Sequence, residues 1–468
     1  MNTSSGLFAR NALLPVGWAR DVLLQWDAAG SLCAVVPGSQ RPPGIPEAAG
    51  PVLPGMPNLH SHAFQRALGG LTEFRGQPQD SFWSWRSLMY RFAAAIRPDQ
   101  LEAIATGLYV EMLEAGYTSV CEFHYLHHDV NGRPYADDAE LSLRLLRAAA
   151  RAGIGLTLLP VLYQTSGFGG TPPREDQRRF IRSTDSMLRL LERLRPQCEA
   201  QGARLGLAPH SLRAVPPESL AECLAGLSAM DATAPIHIHI AEQTAEVDAC
   251  IAWSGQQPVE WLLDHVAVNE RWCLVHATHM TAGESGRAAR SGAVAGLCPT
   301  TEANLGDGIF DAGTWRAAGG RWGVGSDSHA TVNAAEELLM LEYSQRLTRR
   351  QRNVLAGEQH RFVATAMTLE AVAGGAQASG RQVAGLAVGQ QADLVVLDAN
   401  HPLLQRLVSP DATLSAHVFA SHRQSAIAAV WVAGRPLVVA GRHPLQAEAS
   451  HAFAAARGAL ANLPSNSH

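Results

Sequence analysis

Short apolar runs alternate with longer helix-period segments from about residue 53 to 350, and this alternation restricts the fold more than any other feature of the chain. The runs cover residues 52–62, 117–125, 154–163, 204–211, 235–242, 272–278, 293–300 and 322–328. Each is bounded by Gly, Pro or polar residues and is rich in Val, Leu and Ile. Strands buried on both faces of a parallel sheet read this way. The segments between them carry helix-period apolar patterns: Leu101, Ile104, Leu108, Met112 and Leu113 within 98–115, and Leu141, Leu143, Leu145 and Leu146 within 138–152. A third segment, 185–198, does so with Met187, Leu188, Leu190, Leu191 and Leu194. Eight strands alternating with helices predict an α/β fold, a (β/α)8 TIM-like barrel. The rival is a doubly wound open sheet, which usually offers a Gly-rich phosphate turn near its start. None follows the first run.

The two ends read differently. Residues 21–26 and 31–36 near the start are short and β-like, as are 392–397, 426–433 and 436–440 near the end. They predict a small β-sandwich domain built from both termini, residues 1–53 and 385–445. The barrel then occupies 54–384, with a helical connector at 360–378 and a C-terminal tail at 446–468.

Composition narrows the chemistry. All 37 basic residues are Arg, because the chain contains no Lys. That excludes a Schiff-base lysine, a P-loop lysine and a carbamylated lysine bridging two metals. The net charge of −5 gives no support for nucleic-acid or anionic-membrane binding. The seven cysteines form no C-x-x-C pair, which argues against a disulfide framework or a four-cysteine zinc site. No leader pattern opens the chain and no run approaches membrane-spanning length, so a cytoplasmic protein is expected.

Candidate reactive residues collect at the ends of the predicted strands. In Asn58-Leu59-His60-Ser61-His62, the i, i+2 spacing projects His60 and His62 to one face at the mouth of a barrel. Two imidazoles at that spacing suit a divalent metal such as zinc. On the fifth run, His237-Ile238-His239-Ile240-Ala241-Glu242 places His239 nearer the mouth as a third ligand. His237 then packs in the core, and Glu242 can turn inward as a proton-transfer group. His276 ends the sixth run and Asp327 the eighth. Taken singly, each is an ordinary hydrogen-bonded residue at a strand–loop junction. A barrel brings four such strand ends to one axis, and together they predict a metal site.

These residues resemble those of the amidohydrolase superfamily. The likeness runs through residues 57–62, 239–242, His276, 325–327 and the closing phrase 389–398, GQQADLVVLD. The fourth run, ending Ala208-Pro209-His210 without a lysine, resembles the single-metal deaminase branch. Within that branch, the residues around Gln65, Arg86, Glu122, Tyr125, His210 and Arg213 resemble the formimidoylglutamate deiminase family. The resemblance implies that His60, His62, His239 and Asp327 bind one divalent metal, most simply Zn2+. It implies that Glu242 and His276, with Asp327, form the catalytic set. It further implies that Gln65, Arg86, Tyr125, His210 and Arg213 line the substrate pocket.

The expected reaction is hydrolysis of N-formimino-L-glutamate to N-formyl-L-glutamate and ammonia, a step of histidine degradation. A small dianionic substrate needs cationic partners, and Arg86 and Arg213 offer planar forks for carboxylates. The rival is a nucleobase or heterocycle deaminase on the same barrel, whose flat neutral substrate does not need two arginines. A non-catalytic barrel scaffold predicts a broken ligand set, and here the set is intact. A homodimer is expected, as is common in the superfamily. His124, His127 and His128, followed by Asp129, crowd the end of the second run; a second metal site is the alternative there, and surface histidines of a long loop are the expectation. His279 and His329 are expected to support the ligands, and Cys298 to pack in the core.

Overall fold

The structure is a computed structural model and describes residues 5–73, 82–420 and 425–462. Eight parallel strands form the barrel. The first four are Met56–Ser61, Tyr117–His124, Gly155–Leu162, and a broken strand made of Arg204–Leu205 and Ala208–Pro209. The second four are Ile236–Ile240, Trp272–His276, Val294–Leu297 and Arg321–Val324. They pair in two parallel groups, and the bridges Ser61–Asp327 and Leu207–Ile236 close the ring. The first, second, third, fifth and sixth strands are buried along their whole length, as their continuous apolar sequence requires.

The expected helices wrap this barrel. Pro98–Glu114, Glu140–Ala152 and Thr184–Gln201 bury the apolar residues named above, except Leu143 and Leu188, which are part-buried at the edge of the core. The connector is the helix Val363–Ser379, almost wholly buried.

Both ends of the chain build one seven-stranded sheet. Its order is Arg435–Val439, Ile427–Val432, Leu394–Leu397, Val52–Pro54, Ser5–Leu14, Gly17–Trp26 and Leu32–Val36. Only Ser5–Leu14 and Val52–Pro54 run parallel; the other neighbours are antiparallel. The sheet has its own core of Leu7, Ala12, Val22, Leu24, Val52, Leu394 and Val396. Trp26 and Trp431 meet edge to face at 5.5 Å and join the two ends of the chain.

Four sequence expectations are corrected. The run 52–62 is two strands, the first in the terminal sheet and the second in the barrel. Gly55 is the joint, and only glycine fits there, because a Cβ would lie 2.3 Å from Thr118 Oγ1. Residues 5–14, not anticipated as a strand, form the long strand Ser5–Leu14. The segment 385–445 also contains a helix, Pro410–Ala420. The expected tail is in part the helix Gln446–Ala461, which packs Phe453 against Gly107 of the helix Pro98–Glu114. Residues 463–468 lie outside the described residues. Among the described residues, no helix is long and apolar enough to cross a membrane.

Candidate active site

Four buried side chains converge at the mouth of the barrel. His60 Nε2 lies 3.2 Å from His62 Nε2 and 3.0 Å from His239 Nε2. Asp327 Oδ1 lies 3.4 Å from His60 Nε2 and 3.3 Å from His62 Nε2. A single ring proton on His60 cannot bridge three partners at once. Zinc–nitrogen bonds of about 2.0–2.1 Å in a tetrahedron give ligand–ligand edges of roughly 3.3 Å. The spacing therefore fits a cation held by these four groups. His62 Nδ1 faces the carbonyl of Phe123 at 2.8 Å, so it carries the ring proton and leaves Nε2 as a lone pair. Burial keeps the imidazoles neutral, His62 down to about 3 and His60 and His239 well below the usual range. Neutral imidazole is the form that binds a metal.

The backbone that presents these groups is strained. Ala241, His276, Ala277, Asp327 and His329 all have positive φ, between 43° and 66°. Such residues cost free energy and collect where the fold must aim a side chain. Gly325 makes the approach of the eighth strand possible. A Cβ there would sit 2.7 Å from His60 N.

His276 stands beside this cluster. Its Nε2 lies 3.7 Å from Glu242 Oε1 and 3.8 Å from Asp327 Oδ2, and its Nδ1 lies 3.3 Å from Glu302 Oε1. Burial opposes a charge on His276, but Glu242, Glu302 and Asp327 together raise its pKa well above the usual value. Burial pushes the Glu242 carboxyl upward, with His276 opposing. A carboxyl that can hold a proton near neutral pH is suited to proton transfer.

One cavity joins these groups to Gln65, Arg86, Tyr125, His210 and Arg213. Gln65 Nε2 donates to the Tyr125 hydroxyl at 2.7 Å. His210 packs edge to face on Tyr163, with centroids 4.6 Å apart. Arg86 lies over the ring of Tyr90 at 5.6 Å, on the helix Phe82–Ala95. The side chains of Phe82, Trp83 and Ser84, in the same aromatic stretch, lie outside the described residues. Every residue expected at the site therefore faces this cavity or adjoins it.

The flanking histidines need sorting. His237 is buried and faces the carbonyl of Ala378 at 2.8 Å, as a core residue should. His329 sits between Ser61 Oγ at 3.2 Å and Ser326 Oγ at 2.9 Å, directly behind the His60–His62 strand. His279 faces the carbonyl of Asp307 at 2.7 Å. The surface reading of His124, His127 and His128 is wrong: all three are buried. His127 and His128 face the carbonyls of Val161, in the third barrel strand, and Ile181, in the loop after it, at 2.9 and 2.8 Å, so backbone carbonyls replace water as their partners. Cys298 is buried in the barrel core as expected.

Three acids escaped the sequence reading as functional candidates. Glu302 touches His276. Glu246 lies 3.6 Å from Arg213 and accepts from the backbone N–H of Glu242 at 3.1 Å. Glu122 accepts from Ser61 Oγ and from the N–H of Ala63, each at 2.7 Å, and burial raises its carboxyl to about 7. The only sequence signal was position: Glu246 falls one helical turn after Glu242, and Glu302 one turn after Cys298.

Comparison with known proteins agrees with this geometry. The sequence matches the Amidohydrolase family over residues 52–437 and the N-terminal domain of the formimidoylglutamate deiminase HutF over residues 5–44. It is 54% identical to a formimidoylglutamate deiminase of Pseudomonas aeruginosa, over 97% of this chain and 99% of that one. The fold superposes on a crystal structure of an amidohydrolase from Brucella melitensis with a TM-score of 0.92 and 49% identity, covering 98% of this chain and 100% of the other. It also resembles an atrazine chlorohydrolase from Arthrobacter aurescens TC1 complexed with zinc. That TM-score is 0.80 at 20% identity, covering 96% and 100% of the two chains, and shows the shared fold. The chain belongs to the amidohydrolase family and, within it, to the formimidoylglutamate deiminases.

Proposed function

We propose that the protein hydrolyses N-formimino-L-glutamate to N-formyl-L-glutamate and ammonia, as a step in histidine degradation. The observation that carries this reading is one cavity shared by the His60–His62–His239–Asp327 cluster, the Glu242 carboxyl and two guanidiniums, Arg86 and Arg213. The substrate's two carboxylates call for two cationic forks, which a flat neutral heterocycle would leave unpaired.

His60, His62, His239 and Asp327 would hold one divalent cation, for which we propose Zn2+, the metal named with the related atrazine chlorohydrolase. When bound, it supplies acidification of water, lowering its pKa to about 7. Asp327 takes the proton of the attacking water. Glu242 holds the formimino nitrogen and passes it a proton, so that ammonia leaves as the C–N bond breaks and the formyl C=O forms. His276 donates a hydrogen bond to the oxygen where charge develops. Gln65, Tyr125 and His210 orient the chain of the substrate, and Arg86 and Arg213 bind its carboxylates.

The seven cysteines are all free. That accords with the proposed cytoplasmic setting, where thiols stay reduced. We propose a homodimer, as the superfamily resemblance implies, which sedimentation would check.

The test is proton NMR of product formation by the zinc-loaded protein. N-formimino-L-glutamate should give a new formyl signal and stoichiometric ammonia. Guanine and cytosine should remain unchanged. Turnover of a nucleobase with N-formimino-L-glutamate inert would overturn the reading in favour of a heterocycle deaminase.

A further inference from the structure

Glu246 does not line the cavity but lies against two residues that do, Arg213 and Glu242. It lies in the first turn of the helix Thr244–Ser254 and is 2% exposed. One carboxylate oxygen, Oε2, accepts from the backbone N–H of Glu242 at 3.1 Å. The other, Oε1, faces Arg213 Nε at 3.6 Å. Neither Oε1 nor Arg213 Nε has a hydrogen-bond partner among the described residues. The contact to Glu242 alone is an ordinary helix-start interaction. The contact to Arg213 is not, because a buried ion pair held just outside hydrogen-bonding distance contributes little to stability for its desolvation cost.

Arg213 comes from the loop after the fourth strand, and Glu242 from the end of the fifth. A single carboxylate therefore ties two loops together. It fixes the separation between a cation that receives a substrate carboxylate and the carboxyl that handles the formimino nitrogen. It also sets a negative charge against the Nε side of Arg213, a residue of the cavity lining.

We infer that Glu246 is a positioning residue that sets the reach between Arg213 and Glu242, and thereby selects substrates of glutamyl length over those one methylene shorter. This rests on the proposed deiminase reading. A rigid span rejects a shorter substrate because its carboxylate and its formimino group cannot both engage. An unpinned Arg213 can follow the shorter substrate inward.

The test compares the wild type with E246Q and E246A, each assayed per metal-loaded chain on N-formimino-L-glutamate and N-formimino-L-aspartate. In E246Q the amide oxygen still accepts from the Glu242 N–H, but the charge facing Arg213 is gone. KM for the glutamate compound should rise about tenfold, with a smaller fall in kcat, since an Arg213 no longer held in place loses about one charge-assisted hydrogen bond to the substrate carboxylate. In E246A both contacts go, and kcat should fall roughly a further tenfold. In both variants the preference for glutamate over aspartate should narrow about tenfold, as expected when one binding interaction loses its geometry. A purely structural helix cap would lower the melting temperature and metal-loaded fraction, and leave KM and the preference unchanged. That outcome would overturn the assignment while the wild-type activity stands. A wild type inactive on N-formimino-L-glutamate would overturn the deiminase reading and this inference with it.

Discussion

His60 and Asp327 meet across the seam that closes the barrel. The N–H of Asp327 donates to the carbonyl of His60 at 3.0 Å, and the Asp327 carboxylate lies 3.4 Å from His60 Nε2. Barrel closure and the convergence of His60, His62, His239 and Asp327 are thus one structural event. Gly325 permits it, since any Cβ there collides with the His60 backbone.

Gly325→Ala should therefore separate the first and eighth strands. We expect a loss of about 1–3 kcal/mol, typical of overpacking a close contact. Metal content should fall in parallel. Thermal unfolding and plasma emission on the same sample check this. A variant that is destabilised yet fully metal-loaded would uncouple the seam from the site.

Glu242→Gln keeps the shape of the site and removes a proton. We expect kcat to fall by about 10²- to 10⁴-fold, the range for a lost general acid or base. Metal content should not change, because Glu242 is outside the four-residue cluster. Steady-state ammonia release with metal analysis checks both points, and an unchanged kcat would remove Glu242 from the reaction.

The arginines should act on binding. Arg86→Met and Arg213→Met should each raise KM for the dianionic substrate by about 10- to 100-fold, as expected for a charge-assisted hydrogen-bonded pair. A substrate analogue lacking one carboxylate should be less sensitive to one of the two substitutions. Equal sensitivity of that analogue to both would remove the assignment of one carboxylate to each arginine.

Glu337 provides a pH test away from the cavity. Its carboxyl is fully buried, accepts from Thr300 N at 2.9 Å and Thr300 Oγ1 at 2.6 Å, and is raised by burial to about 8. Unfolded, the same group ionises at its ordinary value near 4.3. Between those values the folded chain holds more protons than the unfolded one, so this group's contribution to stability is lost as pH rises. The melting temperature of the wild type, relative to Glu337→Gln, should fall by roughly 2–5 °C between pH 5 and 8.5. A difference independent of pH would show that Glu337 is ionised in the folded chain.

The barrel and the convergence of the His60, His62, His239 and Asp327 side chains were legible because they rest on local pattern. Eight apolar runs mark strands, and His60, His62, His239, His276 and Asp327 stand at or near their ends. Partnerships formed by loops were not legible. His127 and His128 look exposed in a polar segment, yet a carbonyl of the third strand and one of the loop after it take the place of water. Glu246 and Glu302 are unremarkable helix-start acids until the fold brings Arg213 and His276 against them. The strand Ser5–Leu14 lacks strict alternation, because both faces of much of it are covered. The helix Gln446–Ala461 is rich in alanine and carries a weak apolar stripe, so its packing on Pro98–Glu114 shows only in three dimensions.

If the four-residue cluster and the two arginines serve one reaction, ammonia release from N-formimino-L-glutamate should depend on bound metal. Protein stripped with a chelator and then titrated with zinc should show no release at first and full recovery at one zinc per chain. Release that survives complete stripping, or recovery that needs a second equivalent, would separate the cluster from the reaction.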